Sequence, residues 1–481
     1  MSVHAPTAPA ASSAQRTRWL VLAIICAGQL MVILDGTIVN VALPSIQDSL
    51  GLSSSNLGWV VNAYLIPFGG LLLLAGRLGD LFGRKRMFVA GITIFTAASL
   101  ACGLASNTTT LLIARFAQGA GGAVASSVTL GMVVTIFTDS KQRAKAIGIY
   151  SFVQSAGGTL GLLFGGVLTQ TVGWHWIFLV NLPIGIVTVF AAARVLQGHN
   201  ATRNARGVDG LGAALITAAM MALVYAVAET ANYGFGSVRT AGVGLVAVVL
   251  FACFIRRQAR VRDPLLPFRM FAIRNVSGAL ATHTLMIAGM FSFQFLVVLY
   301  MQNVLGFDQV QTGFGVLPVS LLIGAMSLFV APRLIARFAP RAVLLVALVS
   351  IAAGLAILSS VSATGAYLTD VFPATVLLGL GFGLAMPALA GLAMSAATPQ
   401  DSGLASGMFN TMQQIGSSLG LAILSTLAAS HTDALQERGT ASIAALTGGY
   451  QLAFGVGACF VVAAWIVAAT VIRTPRGLSA P

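Results

Sequence analysis

The stretch WLVLAIICAGQLMVILDGTIVNVALP, from Trp19 to Pro44, places one acid inside an otherwise apolar run. A helix of about 20 apolar residues spans the hydrocarbon core of a bilayer. An ionisable side chain inside such a helix costs about 2.5–3.5 kcal/mol on insertion scales. Asp35 therefore either has a partner that offsets this cost or carries a charge that the protein uses.

The composition is that of a membrane protein. Hydrophobic residues make up 57% of the 481-residue chain and charged residues only 8%, whereas a soluble domain carries about 25% charged residues. The net charge of +14 does not indicate nucleic-acid binding, because the basic residues sort to one side of the predicted spans. The four cysteines fall in apolar segments, where they are expected to pack rather than bind metal. The sequence contains no phosphate-binding G-x-x-x-x-G-K-S/T motif, so ATP is not the expected energy source.

Fourteen apolar segments are long enough to cross a bilayer. A twelve-span alternative would require residues 211–255 to lie at the membrane surface, and both segments there are too uniformly apolar for that. The predicted spans are Trp19–Val41, Leu57–Ala75, Met87–Leu104, Thr109–Val134, Ala146–Thr169, Trp176–Ala193, Leu211–Ala228, Thr240–Ile255, Ser277–Tyr300, Phe314–Ala331, Ala342–Ser359, Val371–Met394, Leu404–Ala428 and Leu452–Ile472.

The loops between these spans differ sharply in charge. Nearly all arginines and lysines fall on the side that carries both termini, and only Arg239 and Arg438 fall on the other. The positive-inside rule places the basic side in the cytoplasm. We therefore expect a multi-pass protein of a bacterial inner or plasma membrane with both termini cytoplasmic.

The two halves of the chain repeat each other. GIYSFVQSAGGTLGL, from Gly148, matches GMFNTMQQIGSSLGL, from Gly407, and RLGDLFGRK, from Arg77, matches RLIARFAPR, from Arg333. The offsets of 259 and 256 residues are nearly equal, so helix one corresponds to helix nine. This pattern predicts two six-helix bundles that face one another, as in a rocking transporter.

The repeat also sets the expected organisation, an all-α polytopic membrane protein with two inserted central helices. IQDSLG, from Ile46, matches MQNVLG, from Met301, at an offset of 255 residues, which carries Asp35 onto Met290, so the acid belongs to one half only. The expected segments are a disordered cytoplasmic N-terminus (1–18), an N-terminal six-helix bundle (19–195), two inserted helices with cytoplasmic linkers (196–275), a C-terminal six-helix bundle (276–472) and a cytoplasmic tail (473–481).

The loop GRLGDLFGRKR joins predicted helices two and three on the cytoplasmic side. Its glycines permit a tight reversal, and Asp80 can accept hydrogen bonds from Arg84 or from a helix N-terminus across the bundle. Such a clasp would hold one conformation closed, whereas the alternative is an ordinary basic loop. The residues of the predicted clasp are Gly76, Asp80, Gly83, Arg84 and Lys85.

This loop resembles the signature G-x-x-x-D-x-x-G-R-K/R of the major facilitator superfamily. LIARFAQGAGGA, from Leu112, resembles the fourth-helix motif of that family, and LDGTIVNVALP, from Leu34, resembles the first-helix motif of its fourteen-helix drug:proton antiporters. WHWIFLVNLPIG, from Trp174, is similar to the entrance to helix six in that branch, with His175 where arginine is usual. The resemblance implies the major facilitator fold, no enzymatic activity, and export of drugs or antibiotics with the proton as coupling ion and no other cofactor.

Helix five departs from the branch at one position. The branch has G-x-x-x-G-P-x-x-G-G, and this chain reads GGTLGLLFGG, with Leu162 in place of the proline. Small residues at this spacing still allow close helix approach, but the local bend that proline would introduce is less well supported. Antiport is therefore favoured less strongly over symport. The glycines of the motif are Gly157, Gly161, Gly165 and Gly166.

The predicted spans place Asp35 and Arg115 at a similar depth inside the membrane. In one interpretation they form a permanent ion pair that makes the bundle insertable. In the other, Asp35 takes a proton from outside, the pair weakens, and Arg115 later helps release the proton inward. A buried carboxyl beside a guanidinium can be tuned towards neutral pH, and the resemblance favours this second interpretation. Asn40 and Gln118 are expected to support the pair by hydrogen bonds.

The helices expected to line the central cavity carry amides and aromatic rings, which suit an amphipathic small molecule. One membrane-embedded carboxylate predicts one proton per cycle, and the protein is expected to act as a monomer in the lipid bilayer. His283, in helix nine, is either a cavity residue or a second titrating group. The predicted cavity residues are Gln29, Asn62, Tyr64, Tyr150, Gln154, Phe291, Gln294, Asn410, Gln413 and Gln414.

The sequence thus predicts a proton-coupled antiporter that exports amphipathic drugs by alternating access. A proton-coupled symporter that imports a solute is the first alternative, and uptake driven by an inward proton gradient would favour it. A non-transporting membrane receptor is the second alternative, and it would show no flux in proteoliposomes.

Overall fold

The computed structural model describes residues 8–51, 54–196, 209–233, 237–261, 264, 268–395 and 402–473. Every regular element in these ranges is a helix, and two short stretches, Met326–Val330 and Tyr367–Val371, have π-helical hydrogen bonding. The α-helices are α1 (Ala8–Leu50), α2 (Ser54–Phe82), α3 (Arg84–Gly103), α4 (Thr108–Ile136), α5 (Ser140–Thr171), α6 (His175–Leu179), α7 (Asn181–Val195), α8 (Gly210–Tyr233), α9 (Val238–Gln258), α10 (Phe268–Ala272), α11 (Arg274–Asn303), α12 (Gln309–Ala325), α13 (Ala331–Leu358), α14 (Phe372–Ala393), α15 (Ser402–Glu437) and α16 (Ser442–Val471).

The length and apolar character of the helices identify a multi-pass membrane protein. Within the described ranges, nine helical segments are long and apolar enough to cross a bilayer. One of these segments, Gln311–Leu358, contains a non-helical residue at Ala339 and therefore holds two consecutive helices. The predicted number of fourteen spans stays a prediction.

The break at Ala339 repeats a turn in the first half of the chain. Gly83, between α2 and α3, has φ +95°, and Ala339, 256 residues later, has φ +65°. Non-glycine residues adopt this region at a cost of about 1–3 kcal/mol, and Ala339 is the only one to do so in the described ranges. The backbone therefore supports the internal repeat. Asp80 corresponds to Ala336 in the second copy, which has no carboxylate there.

On one face of each bundle, a basic side chain donates a hydrogen bond to a backbone carbonyl near the end of another helix. In the first half, Lys85 donates a hydrogen bond to the carbonyl oxygen of Ala193 near the end of α7 (2.7 Å). In the second half, Arg341 donates one to the carbonyl oxygen of Ala469 near the end of α16 (2.7 Å). We call this side of the molecule, where α2, α4, α7 and α16 end, the basic face.

The two bundles meet in the half of the molecule nearest the basic face. Asn410 of α15 donates a hydrogen bond from Nδ2 to the carbonyl oxygen of Ser126 in α4 (2.9 Å). Gly148 of α5 lies directly against the backbone of Ser327, at a distance that leaves no room for a side chain. These contacts close the structure towards the basic face, and the central cavity lies beyond them.

The inserted helices α8 and α9 pack as a pair against the N-terminal bundle. α8 lies against Gly70 of α2, where an added β-carbon would come within 2.6 Å of Met221. Asp209, just before α8, accepts hydrogen bonds from Arg257 Nε (2.7 Å) and Gln258 Nε2 (2.9 Å) at the end of α9. Burial alone would raise the pKa of Asp209, but these bonds and one backbone hydrogen bond lower it below its usual value. The two inserted helices are therefore joined at one end and seated on α2.

Helix α1 begins earlier than the sequence analysis predicted. Disorder was expected for residues 1–18, yet the helix begins at Ala8 and continues to Leu50. The segment APAASSAQ is rich in alanine, which has the highest helix propensity, so it extends the helix backwards from the predicted span. Residues 1–7, 197–208 and 474–481, in the predicted N-terminus, linker and tail, lie outside the described residues.

Candidate functional site

Five polar side chains from four helices meet inside the N-terminal bundle. α1 supplies Asp35, α3 supplies Ser99, α4 supplies Arg115 and Gln118, and α7 supplies Asn181. Asp35 is fully buried, and Arg115 is only 1% exposed. We call these five residues the Asp35 cluster.

Asp35 accepts three hydrogen bonds in this cluster. Arg115 Nη1 donates to Oδ2 (2.6 Å), while Gln118 Nε2 (2.7 Å) and Asn181 Nδ2 (3.0 Å) donate to Oδ1. Hydrogen bonds between ionised partners are short and strong, so the guanidinium compensates the buried carboxylate. The sequence predicted Asp35 and Arg115 at similar depth with Gln118 as a neighbour, and the structure brings all three into contact. The side chain of Asn40 lies outside the described residues.

Ser99 and Asn181 were not assigned from the sequence. Ser99 Oγ accepts hydrogen bonds from Gln118 Nε2 (3.1 Å) and Asn181 Nδ2 (3.0 Å) and donates to the carbonyl oxygen of Phe178 (2.9 Å). Asn181 lies in WHWIFLVNLPIG, so the motif contained the signal for it. Ser99 carried no such signal, because a serine within an apolar helix often bonds only to its own backbone.

The side chain of Asn181 can also provide a hydrogen-bond acceptor to the cluster. Its Oδ1 is buried and has no donor among the described residues. A neutral carboxylic acid donates one hydrogen bond, and rotation of the amide would turn an acceptor towards Asp35. The cluster therefore has a partner for the carboxylate and, after this rotation, one for the neutral acid.

Tyr64 of α2 separates the Asp35 cluster from the central cavity. Its ring centre lies 4.4 Å from Arg115 Cζ, and its hydroxyl donates a hydrogen bond to the carbonyl oxygen of Val32 on α1 (3.2 Å). Tyr64 lines the cavity, whereas neither Asp35 nor Arg115 does. A rearrangement at Asp35 can therefore reach the cavity wall through Tyr64.

The glycines of the helix-five motif let α5 approach α1 beside Asp35. A β-carbon on Gly161 would lie 2.9 Å from the carbonyl oxygen of Leu34 and would also collide with Thr37. Small residues are what allow helix backbones in a membrane to come this close. α5 continues as one helix through position 162, where the sequence lacks the expected proline. The side chain at that position lies outside the described residues.

We expect Gly161→Ala to destabilise the protein by about 1–3 kcal/mol, because overpacking at this contact must displace α1 or α5. Gly166→Ala is the matched control, since the nearest atom to a β-carbon at Gly166 is 4.0 Å away. Thermal unfolding of both variants in detergent measures the difference. Equal melting temperatures would contradict the idea that this contact constrains the helices.

A cavity of about 330 Å³ lies between the two bundles. Two predicted lining residues do not line it. Tyr150 is buried behind the wall, where its hydroxyl pairs with Thr129 Oγ1 (2.9 Å), and Asn62 is also absent from the lining. The side chains of Phe291 and Gln294 lie outside the described residues. The predicted residues that do line the cavity are Gln29, Tyr64, Gln154, Asn410, Gln413 and Gln414.

His283 lies within the C-terminal bundle and does not line the cavity. It is fully buried, and its ring stacks on Phe409 with the ring centres 4.0 Å apart. Neither ring nitrogen has a hydrogen-bond partner among the described residues. In this conformation His283 packs as an aromatic ring, and its role as a second titrating group stays a prediction.

Asp80 joins the two bundles at the basic face. Its Oδ1 accepts hydrogen bonds from Arg84 Nε (3.3 Å) and Nη2 (3.1 Å), and its Oδ2 accepts one from the backbone N–H of Leu404 (2.8 Å). Leu404 lies in the first turn of α15, where free N–H groups attract anions. Both hydrogen bonds suggested by the sequence are present, and Gly83 supplies the positive φ of the reversal.

For the transport that the sequence predicts, we expect Asp80→Ala to lower turnover while substrate binding is preserved. Hydrogen bonds to charged groups contribute about 1.5–3 kcal/mol, so their loss shifts the balance between closed and open basic faces roughly 10- to 100-fold. Turnover and binding in proteoliposomes separate the two effects. Asp48→Ala, which removes an exposed acid near the end of α1, is the control. Unchanged turnover in Asp80→Ala would contradict the hypothesis that these hydrogen bonds hold the basic face closed.

The sequence of this chain matches the profile of the Major Facilitator Superfamily over residues 25–421. Its relatives include the puromycin resistance protein pur8 of Streptomyces alboniger, 38% identical over 94% of this chain and 91% of the relative. The cephamycin export protein CmcT of Amycolatopsis lactamdurans is 36% identical over 90% and 89% of the two chains. The tetracenomycin C resistance and export protein of Streptomyces glaucescens is 34% identical over 87% and 78%.

Among solved structures, the human organic anion transporter MFSD10 (TETRAN) has a similar fold. The TM-score is 0.69, and the match covers 94% of this chain and 99% of the human one. The sequences are only 14% identical, so the likeness concerns the fold alone.

Proposed function

Because this chain belongs to the major facilitator superfamily, we propose that it is a proton-coupled antiporter that exports amphipathic, antibiotic-like molecules. The observation that carries the proposal is a buried carboxylate, Asp35, held by Arg115 directly behind the wall of a cavity between two bundles. The names of three bacterial relatives, which concern antibiotic resistance or export, support the class of cargo. The positive-inside rule supports a cytoplasmic basic face, with both termini cytoplasmic, in a bacterial plasma membrane.

In the proposed cycle, a proton from outside neutralises Asp35 and releases Arg115. The guanidinium keeps its hydrogen bond to the carbonyl oxygen of Val60 (3.1 Å) and its contact with Tyr64. Asn181 turns its amide and accepts the new O–H of the acid. Movement of Arg115 and Tyr64 then changes the cavity wall and the packing of α1 against α2.

The energies indicate that the Asp35 cluster does not act alone. A change of the population ratio from 1:99 to 99:1 requires about 5.5 kcal/mol, and loss of one charge-assisted hydrogen bond supplies about 1.5–3 kcal/mol. The remaining energy has to come from other contacts that differ between the two states. We assign part of this remaining energy to the hydrogen bond from the backbone N–H of Leu404 to Asp80 at the basic face. This bond is present in the structure and is released in the other state.

The proposed transporter needs one proton per cycle and no other cofactor. Among the acids that the structure describes, Asp35 is the one that lies in the middle of a membrane-crossing helix of the two bundles. Both the Asp35 cluster and the cavity are built from a single chain, which supports function as a monomer in the lipid bilayer.

The test uses everted membrane vesicles from an efflux-deficient bacterium that expresses the protein. The cytoplasmic face then points outwards, and acidifying the lumen should drive tetracenomycin C into the vesicles. A protonophore should abolish this accumulation. Vesicles without the protein are the control.

The direction of flux distinguishes the alternatives. A proton-coupled importer would instead move its solute out of the acid-loaded vesicles. A receptor that does not transport would give the same flux as the empty vesicles. Either result would overturn proton-coupled export.

A further inference from the structure

We propose that the central cavity accepts molecules without a net charge and rejects permanent cations. This inference rests on the proposed export function and specifies its substrate class. It is carried by the charge of the cavity wall and by the position of the one membrane-embedded acid.

The described residues of the cavity wall carry no charged side chain. Twenty-five of the described residues, from both bundles, line the cavity, and none of these is an aspartate, glutamate, lysine, arginine or histidine. Its polar groups are amides and hydroxyls, which donate and accept hydrogen bonds without a net charge. They include Gln29, Gln154, Asn410, Gln413 and Ser320.

The other acids of the chain fall outside the middle of the predicted spans. Among the described residues, every acid other than Asp35 lies between helices or within about one turn of a helix end. Asp263 and Asp401, which are outside the described residues, fall between predicted spans in the sequence. A cation bound at mid-membrane depth therefore finds no counter-charge unless it reaches Asp35.

Asp35 is closed to a bound molecule in this structure. It is fully buried, does not line the cavity, and both of its oxygens accept hydrogen bonds from the cluster. Tyr64 stands between it and the cavity, with the Arg115 guanidinium next to the ring. When Asp35 is neutral, the nearest charge behind the wall is therefore positive, and it repels a cation. When Asp35 is ionised, the pair has no net charge.

Aromatic rings in the cavity wall do not compensate for the missing counter-charge. Tyr64, Phe68, Phe293 and Phe382 line the cavity, and a cation–π contact contributes about 0.5–2 kcal/mol. Removing an unpaired charge from water costs considerably more than that. An uncharged molecule avoids this cost, gains the apolar contacts, and can bond to the amides. The volume of about 330 Å³ is that of a small drug site.

The inference predicts that a single acid in the wall creates cation transport. Gln154 lines the cavity from α5, so Gln154→Glu adds a carboxylate of nearly the same shape. Gln170→Glu makes the same substitution at an exposed position near the end of the same helix, and it is the matched control.

The experiment measures growth inhibition in an efflux-deficient host. The uncharged probes are tetracenomycin C and chloramphenicol, and the permanent cations are ethidium and methyltriphenylphosphonium. We expect the natural sequence to raise the inhibitory concentration of an uncharged probe about fourfold or more and to leave that of the cations within about twofold. Gln154→Glu should raise the values for the cations about fourfold or more, and Gln170→Glu should behave as the natural sequence does.

Three outcomes would contradict the inference in distinguishable ways. Protection against permanent cations as strong as against the uncharged probes would overturn it directly. Gln154→Glu that still exports an uncharged probe but gains no cation export would also overturn it, because the missing counter-charge would not be the barrier. Protection against no probe, together with absence of proton-driven flux in vesicles, would overturn the export function and the inference with it.

Discussion

Asp35→Asn is expected to abolish proton-driven efflux, with the gradient-driven rate reduced roughly 100-fold or more. Asparagine has nearly the same shape as aspartate, and its Oδ1 can still accept a hydrogen bond from Arg115. It cannot bind and release a proton, so the two states of the cluster are no longer linked to the pH gradient. Efflux under an imposed pH gradient in everted vesicles measures the loss.

Two controls separate coupling from folding. Asp48→Asn removes an exposed acid from the same helix and should leave efflux unchanged. Exchange of labelled for unlabelled substrate without a gradient should persist in Asp35→Asn, because it requires no net proton movement. Gradient-driven efflux that persists in Asp35→Asn would refute the coupling role of this residue.

Arg115→Met is expected to give the second largest loss. Removing one partner of a buried ion pair costs about 3–5 kcal/mol as long as the other partner stays charged. Asp35 avoids this cost by keeping its proton, so the variant should fold but should fail to release the proton inward. We expect turnover to fall roughly 100-fold, with folded protein close to the natural amount. Arg438→Met, at an exposed position, is the control.

The double variant Asp35→Asn/Arg115→Met distinguishes a switch from a permanent pair. If the pair only makes the bundle insertable, Arg115→Met alone should lose folded protein and the double variant should recover it. If the pair is a switch, Arg115→Met alone should already fold, and the double variant should still show no proton-driven efflux. The amount of folded protein by fluorescence-detected size exclusion and the flux in vesicles together decide between them.

The sequence was most informative about charged residues, because an unpaired charge inside the membrane is costly. Asp35 and Arg115 could be paired from the sequence because charged residues in mid-membrane are rare and must find partners. The hydrogen bond between Arg84 and Asp80 could be predicted because a carboxylate, an arginine and glycines occupy fixed places in one short loop. The matched segments RLGDLFGRK and RLIARFAPR contain the same positive-φ turn at corresponding positions, although the second copy has Ala339 where the first has Gly83.

The sequence was least informative where the residues are polar but uncharged. Ser99 and Tyr150 have the same local pattern as many residues that only pack, and their partners Gln118 and Thr129 lie on other helices. Which face of a membrane helix points to the cavity depends on the rotation of the whole helix in the bundle. A rotation of one residue position exchanges a lining residue for a buried one, and composition does not determine it.

The two halves of the chain share the positive-φ turn at Gly83 and Ala339 but not the acidic residues. The first copy holds Asp35 and Asp80, and the second has Met290 and Ala336 at the corresponding places. Under the proposed function, natural selection can therefore remodel the C-terminal part of the cavity towards a new toxin without touching the residues that we assign to proton coupling. One ancestral carrier could in this way give rise to many resistance determinants through changes confined to half of its gene.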